Sequence, residues 1–199
     1  MRIKRVAGKQ LGREEQEMNI TVYLGAYEGN DPALRLAVEA LGTWIGKSGN
    51  CLVYGGSKSG LMGVLAKSVI SSGGNAIGVE PAFFVAEELQ YDELTELIVT
   101  KDMSERKAKM IELGDAFIAL PGGTGTLEEI SEIMSKISLR HLDAPCIIYN
   151  HKGFYDGLKQ LLGAMREHGL SNVDRQKGIS FADSIDEVIR RLEYGQKTV

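Results

Sequence analysis

The chain is poor in the residues that build metal centres and disulfide frameworks. Its 199 residues include two cysteines and three histidines. Cys51 and Cys146 both lie in short apolar runs, the setting of reduced, buried thiols rather than of a disulfide. His141, His151 and His168 show no metal-ligand spacing, so no dedicated metal site is expected. A basic excess is missing too: 23 Lys and Arg stand against 27 Asp and Glu, a net charge of −4. That argues against a nucleic-acid-binding surface. No apolar run nears the ~18 residues that a membrane helix needs. The charged start is not followed by the apolar core of a signal peptide. A cytoplasmic protein without a nucleic-acid or membrane partner is expected.

Three motifs are also absent. There is no G-x-x-x-x-G-K-[ST], which sets aside a P-loop NTPase. The segment Gly25-Ala26-Tyr27-Glu28-Gly29-Asn30 does not spell G-x-G-x-x-G, which disfavours a dinucleotide dehydrogenase. No G-x-S-x-G elbow supports an α/β-hydrolase.

What is present is an alternation of short apolar runs with helical patterns. Strands are predicted at 19–24, 51–54, 76–79, 96–99, 116–120, 146–149 and 178–181. Helices are predicted at 31–48, 61–72, 104–113, after the glycine turn at 122–125, at 154–168 and at 183–194. Asp31-Pro32 reads as an aspartate cap with proline at the first helical position, and Gly49-Asn50 as the stop. This order predicts a Rossmann-like, doubly wound parallel sheet with helices on both faces. Residues 1–17 are polar and lack an amphipathic repeat, so they read as a disordered leader or tag-like segment. Residues 18–199 read as one nucleotide-monophosphate-binding domain.

Glycine turns follow three of the strands, at Gly25–Gly29, Gly55–Gly60 and Gly122–Gly125. All three belong on the carboxyl edge of the sheet, where such folds bind ligands. The richest is Pro121-Gly122-Gly123-Thr124-Gly125-Thr126-Leu127-Glu128-Glu129. A strand precedes it, and apolar residues at 127, 130, 133, 134 and 137 follow at helical spacing. Such a turn aims backbone N–H groups at one spot at the positive end of a helix, which suits phosphate. Glu129 is placed in the first turn of that helix. Upstream, Asp102-Met103-Ser104-Glu105-Arg106-Lys107 opens another helix. Arg106 can grip phosphate oxygens through two N–H bonds, and Lys107 offers a point charge.

Pro121-Gly122-Gly123-x-Gly125-Thr126-x-x-Glu129, preceded by Met103-x-x-Arg106-Lys107, resembles the LONELY GUY-type phosphoribohydrolases. That Rossmann-like family was long mislabelled as lysine decarboxylases. Tyr54-Gly55-Gly56-Ser57-x-x-Gly60-Leu61-Met62-Gly63 is similar to its second glycine turn, and the likeness runs from Met18 to Leu192. The resemblance implies a cofactor-free homodimer that cleaves the N-glycosidic bond of AMP or N6-substituted, cytokinin-type AMP. The products would be free base and ribose 5-phosphate. It implies Arg106 and Glu129 as the catalytic pair. Gly25, Gly56, Ser57, Glu88, Lys107, Gly122, Gly123, Thr124, Gly125, Thr126, Leu127, Glu128 and Ser135 are implied in substrate binding. Two stretches depart from the family pattern. Gly25-Ala26-Tyr27-Glu28-Gly29 stands where Gly-Ser-Ser-x-Gly is common, and Ser135-Lys136-Ile137-Ser138 where Thr-Trp-x-Gln is common.

Glycosidic cleavage builds positive charge on the ribose, which a carboxylate stabilises, or relieves by activating water. Glu129 is assigned that role. Neighbours on a helix are about 100° apart, so only one of Glu128 and Glu129 can face a pocket. A guanidinium does not release its proton, so Arg106 is expected to orient phosphate and stabilise charge. A non-catalytic nucleotide carrier or sensor is the competing reading. A pyridoxal-dependent decarboxylase is disfavoured because no lysine sits in a recognisable cofactor context.

Overall fold

The short apolar runs become strands because their side chains are buried on both faces, as a covered parallel sheet requires. In the computed structural model, which describes residues 17–87 and 89–195, seven strands form one sheet. They are β1 (Asn19–Tyr23), β2 (Cys51–Tyr54), β3 (Asn75–Pro81), β4 (Glu96–Thr100), β5 (Ala116–Ala119), β6 (Cys146–Tyr149) and β7 (Ile179–Ala182). All neighbours are parallel, in the order β4-β3-β2-β1-β5-β6-β7. The helices are α1 (Pro32–Lys47), α2 (Gly60–Ser71), α3 (Ala82–Val85), α4 (Met103–Leu113), α5 (Thr124–Ser138), α6 (Asp156–Glu167) and α7 (Ile185–Gly195).

Alternate strand residues feed two cores. On one face Ile20, Val22, Leu52, Ile118 and Ile147 meet α1, α2 and α7 through Val38, Leu65 and Val188. On the other Val53, Val79, Phe117 and Ile148 meet α4 and α5 through Met110, Ile130 and Ile133. The chain runs outward from β1 to β4, then returns to place β5 on the other side of β1. The strand order therefore reverses between β1 and β5, and a ligand crevice belongs at their carboxyl ends.

Two helix starts follow from single residues. Asp31 caps α1 by accepting from Ala33 N at 3.0 Å, with Pro32 at the first helical position. Asp102 caps α4 by accepting from Glu105 N at 2.9 Å, while Glu105 accepts from Lys101 N at 2.8 Å. This start sets the phase of α4, turning Arg106 and Met110 inward, one helical turn apart.

The structure shifts several predicted boundaries. The first strand ends at Tyr23, and β3 runs two residues past Val79 because Glu80 and Pro81 pair with Val99 and Thr100. α5 starts at Thr124, so Glu129 stands in its second turn rather than its first. α6 starts at Asp156 rather than Phe154, behind a 3-10 turn at His151–Gly153. Asn150 enforces that break by accepting from Tyr155 N at 2.7 Å and donating to Asp156 Oδ1 at 2.8 Å. The expectation of a leader over residues 1–17 lies, but for Glu17, outside the described residues.

α1 crosses α2 at Gly42 and Gly46. A Cβ on Gly46 would stand 2.5 Å from the Val69 carbonyl oxygen and 2.8 Å from Ser72 Cβ. In a free helix, Gly to Ala gains about 1 kcal/mol. Here the obstacle is a backbone carbonyl that cannot turn aside, and overpacking costs about 1–3 kcal/mol. The clash prevails: Gly46→Ala is expected to lower the thermal midpoint and Gly46→Val to lower it further, as a melting curve will measure.

Candidate active site

Three sequence-distant turns meet at the reversal point because glycines let them touch. A Cβ on Gly25 would lie 3.4 Å from Gly122 Cα and 3.6 Å from the Pro121 carbonyl oxygen. Gly60 is tighter still. It adopts φ +53°, and any side chain there would run into the backbone of Ala26 and Tyr27. The first and third turns border a cavity of about 570 Å³, and the second reaches it only through Leu61 and Met62 at the start of α2, so Gly56 and Ser57 do not line it.

One wall is the start of α5. Gly123 is its N-cap and supplies no side-chain bond, so the first N–H groups of the helix face the cavity mouth. Those groups and the helix dipole make the positive end of a cradle. Thr126 is buried beneath it, folded against Gly122. Gly123, Thr124 and Gly125 are exposed along the cavity.

The second wall carries the charges. Arg106 Nη1 donates to Glu129 Oε1 at 2.9 Å, with both side chains about a tenth exposed, at 11% and 10%. Arg106 Nε donates to the Val79 carbonyl at 3.0 Å, which fixes the guanidinium on the end of β3. Burial pushes the Glu129 carboxyl up from its ordinary value, and the Arg106 guanidinium pulls it partly back. Tyr23, at the end of β1, lies beneath the pair. Burial, then the Glu129 charge, drives its hydroxyl far above the usual tyrosine range, so it stays neutral.

Of the two adjacent acids, Glu129 is buried and Glu128 exposed. Glu128 Oε1 accepts from Lys107 Nζ at 2.6 Å, and Glu132 Oε2 lies 3.4 Å from the same amine. Lys107 thus stands on an acidic ridge of α5 instead of the cavity wall. Contrary to the expectation that only one of them faces the pocket, both Glu128 and Glu129 border the cavity, Glu129 buried and Glu128 exposed, as do Gly25, Arg106 and the stretch Pro121–Thr126. Leu127 is 45% exposed on the helix exterior. Ser57 is 8% exposed and its hydroxyl accepts from Ser59 N at 3.1 Å, serving the second turn itself. Gly56 leans on Glu80. Ser135 is exposed on α5, eleven residues beyond Thr124, about 16 Å along the axis. The helix carries it away from the cradle. Glu88 lies outside the described residues.

Residue spacing did not reveal the apolar lining of the cavity. Leu34, Met62, Phe84, Met103 and Phe154 line it, together with Tyr27, which is 86% exposed. These side chains come from six separate segments, so no local motif announces them. The β6–α6 loop that carries Phe154 is tied to the start of α1. Lys152 Nζ and His151 Nε2 lie 2.6 Å and 2.8 Å from Asp31 Oδ2. Lys152 first, then His151, hold the Asp31 carboxyl well below the usual range.

Fold and cavity together define a Rossmann-like α/β protein with an anion cradle and a buried Arg–Glu pair at the switch point. A family model described as "Possible lysine decarboxylase" matches residues 62–192, and the chain belongs to that family. It is 45% identical over 138 residues to the cytokinin riboside 5′-monophosphate phosphoribohydrolase of Rhodococcoides fascians, covering 69% of this chain and 70% of that one. To the enzyme of the same name from Arabidopsis thaliana it is 35% identical over 180 residues, covering 90% and 84%. Among solved structures, the molybdenum cofactor binding protein of Rippkaea orientalis superposes with a TM-score of 0.70 at 24% identity, over 91% and 98% of the chains. That likeness shows the fold alone. The chemistry named in the family description does not fit this cavity. A pyridoxal Schiff base needs a lysine amine, and the described residues lining the cavity include none.

The glycines of the cradle divide into two kinds. A Cβ on Gly122 would overlap the Thr126 side chain, whereas one on Gly123 or Gly125 meets nothing within 4 Å. Gly122→Ala is therefore expected to lower the thermal midpoint. Gly125→Ala should melt with the wild type yet bind ribose 5-phosphate more weakly, because its methyl group enters the cradle. Melting curves and calorimetric titration test both.

Proposed function

We propose that this chain is a nucleoside 5′-monophosphate phosphoribohydrolase. It hydrolyses the N-glycosidic bond of AMP or N6-substituted, cytokinin-type AMP. Water adds to the ribose C1, the bond from C1 to the base nitrogen breaks, and free base and ribose 5-phosphate leave. The observation that carries this reading is the buried Arg106–Glu129 pair, which borders the same cavity as a phosphate-type cradle and a set of apolar side chains. The names and identities of the curated relatives support it.

The 5′-phosphate sits on the N–H groups at the start of α5. That places the ribose beside Glu129 and the base among Tyr27, Phe84 and Phe154. Glu129, released from Arg106, faces C1 and either stabilises the positive charge or takes a proton from the attacking water. Arg106 offers N–H donors to the substrate oxygens and stays cationic throughout. The leaving nitrogen is protonated from water. Two copies of residues 18–199, each a single domain, form a cytoplasmic homodimer in this reading, and no cofactor takes part.

Glu129→Gln is expected to lower AMP turnover about a hundredfold or more. Glu128→Gln, which removes an exposed ion pair, should leave it within about twofold. Full turnover by the Glu129 variant refutes the mechanism. Tight retention of intact nucleotide by the wild type, without release of base, would instead mark a carrier or sensor. Because burial raises the Glu129 carboxyl and the reaction needs it ionised, the acid limb of kcat should fall above the ordinary glutamate value of about 4.3. A pH–rate profile measures it.

Tyr27 lines the cavity and is 86% exposed, so its ring is open to a base. Stacking of a base on an aromatic ring contributes about 1–3 kcal/mol. Tyr27→Ser is therefore expected to raise KM for AMP about fivefold or more, with kcat nearly unchanged, in steady-state kinetics.

A further inference from the structure

Glu80 takes no part in the steps above, yet it is an unusual acid. It lies near the carboxyl end of β3, is 1% exposed, and its buried Oε2 has no hydrogen-bond partner among the described residues. Burying a carboxyl without partners is costly, and an apolar side chain of similar volume would avoid that cost. A buried polar atom left unpaired calls for a physical reason.

The surroundings of Glu80 supply one. The preceding residue, Val79, holds Arg106 Nε through its carbonyl at 3.0 Å. The turn between Glu80 and Arg106 is made of two glycines. A Cβ on Gly56 would stand 3.2 Å from Glu80 Cβ and 3.3 Å from Oε2, and one on Gly55 would overlap Arg106 Nη2. Consecutive residues without side chains thus allow the carboxyl and the guanidinium to press on the same short piece of backbone. The two groups also feel each other's charge. Burial pushes the Glu80 carboxyl up, and Arg106 draws it back. In the closed pair Arg106 spends Nη1 on Glu129 and Nε on Val79, leaving Nη2 against the glycine turn.

The proposed hydrolysis needs Glu129 to leave Arg106 and face the ribose. The guanidinium would then lose its counter-charge inside a poorly solvated site, with a substrate phosphate nearby to pull it off the β3 carbonyl. We propose that Glu80 is a positioning residue, the standby counter-charge that keeps Arg106 in place while Glu129 is engaged with substrate. It acts through Arg106 and touches no reacting atom. This inference rests on the phosphoribohydrolase reading.

Two variants separate charge from packing. Glu80→Gln keeps the shape and removes the charge, and Glu80→Met also removes the polarity. Each is compared with wild type by thermal melting and by steady-state kinetics on AMP. The Met variant should melt at or above the wild-type midpoint, because an unpaired buried acid has been removed. Both variants should lose about tenfold or more in kcat while KM stays within about twofold. Wild-type kcat in either folded variant overturns the proposal, as does a loss confined to KM. If the Met variant fails to fold, the Gln variant decides alone. Wild-type protein that releases no base from AMP removes the phosphoribohydrolase reading and this inference with it. Active wild type with equally active variants removes only this inference.

Discussion

The site depends on one buried ion pair. Arg106 and Glu129 come from different helices, on either side of β5 in the chain, and meet at 2.9 Å with almost no solvent around them. Such a pair is tolerable in a protein interior only when its remaining donors and acceptors are also placed. The backbone does much of that placing. The Val79 carbonyl takes one guanidinium nitrogen, and the side-chain-free turn at Gly55 leaves room for another. Losing either partner would strand the other charge in a low-dielectric setting, so the two side chains form one unit.

The pair could not form without the topology around it. β1 and β5 are neighbours in the sheet although 91 residues lie between Tyr23 and Asp115, the residue before β5. Their adjacency brings the first and third glycine turns into van der Waals contact, and α5 leaves from the third. The cradle and the acid therefore share a helix, with Glu129 in its second turn rather than at its start. That offset sets the acid about a helical turn beyond the free N–H groups at the start of α5, which agrees with the proposed cleavage at the ribose C1 rather than at the phosphate.

Two kinds of chemistry line the cavity. The start of α5 offers backbone N–H groups and the helix dipole, which suit an anion without a charged side chain. Tyr27, Phe84 and Phe154 offer aromatic surface. Asp31, His151 and Lys152 tie the loop that precedes Phe154 to the start of α1, which follows the turn carrying Tyr27. Lys107, a phosphate ligand in the sequence reading, faces Glu128 and Glu132, because one residue along a helix turns a side chain through about 100°.

What the sequence determined by itself is whatever depends on local order. Alternating strand and helix periods specify the doubly wound class. Asp31-Pro32 and Asp102 mark helix starts, and Pro121–Glu129 marks a strand, a tight turn and an anion-binding helix end. Arg106 and Glu129 were legible because each sits in such a motif. The tertiary structure alone decided which of two adjacent acids is buried, that Ser135 travels away from the cradle, and which apolar residues line the cavity. It also decided that β3 extends to Glu80 and sets a buried acid beside the guanidinium. The physical reason is common to all four. Local spacing defines the phase of each helix and strand, but burial and charge pairing depend on neighbours that only the strand order brings together.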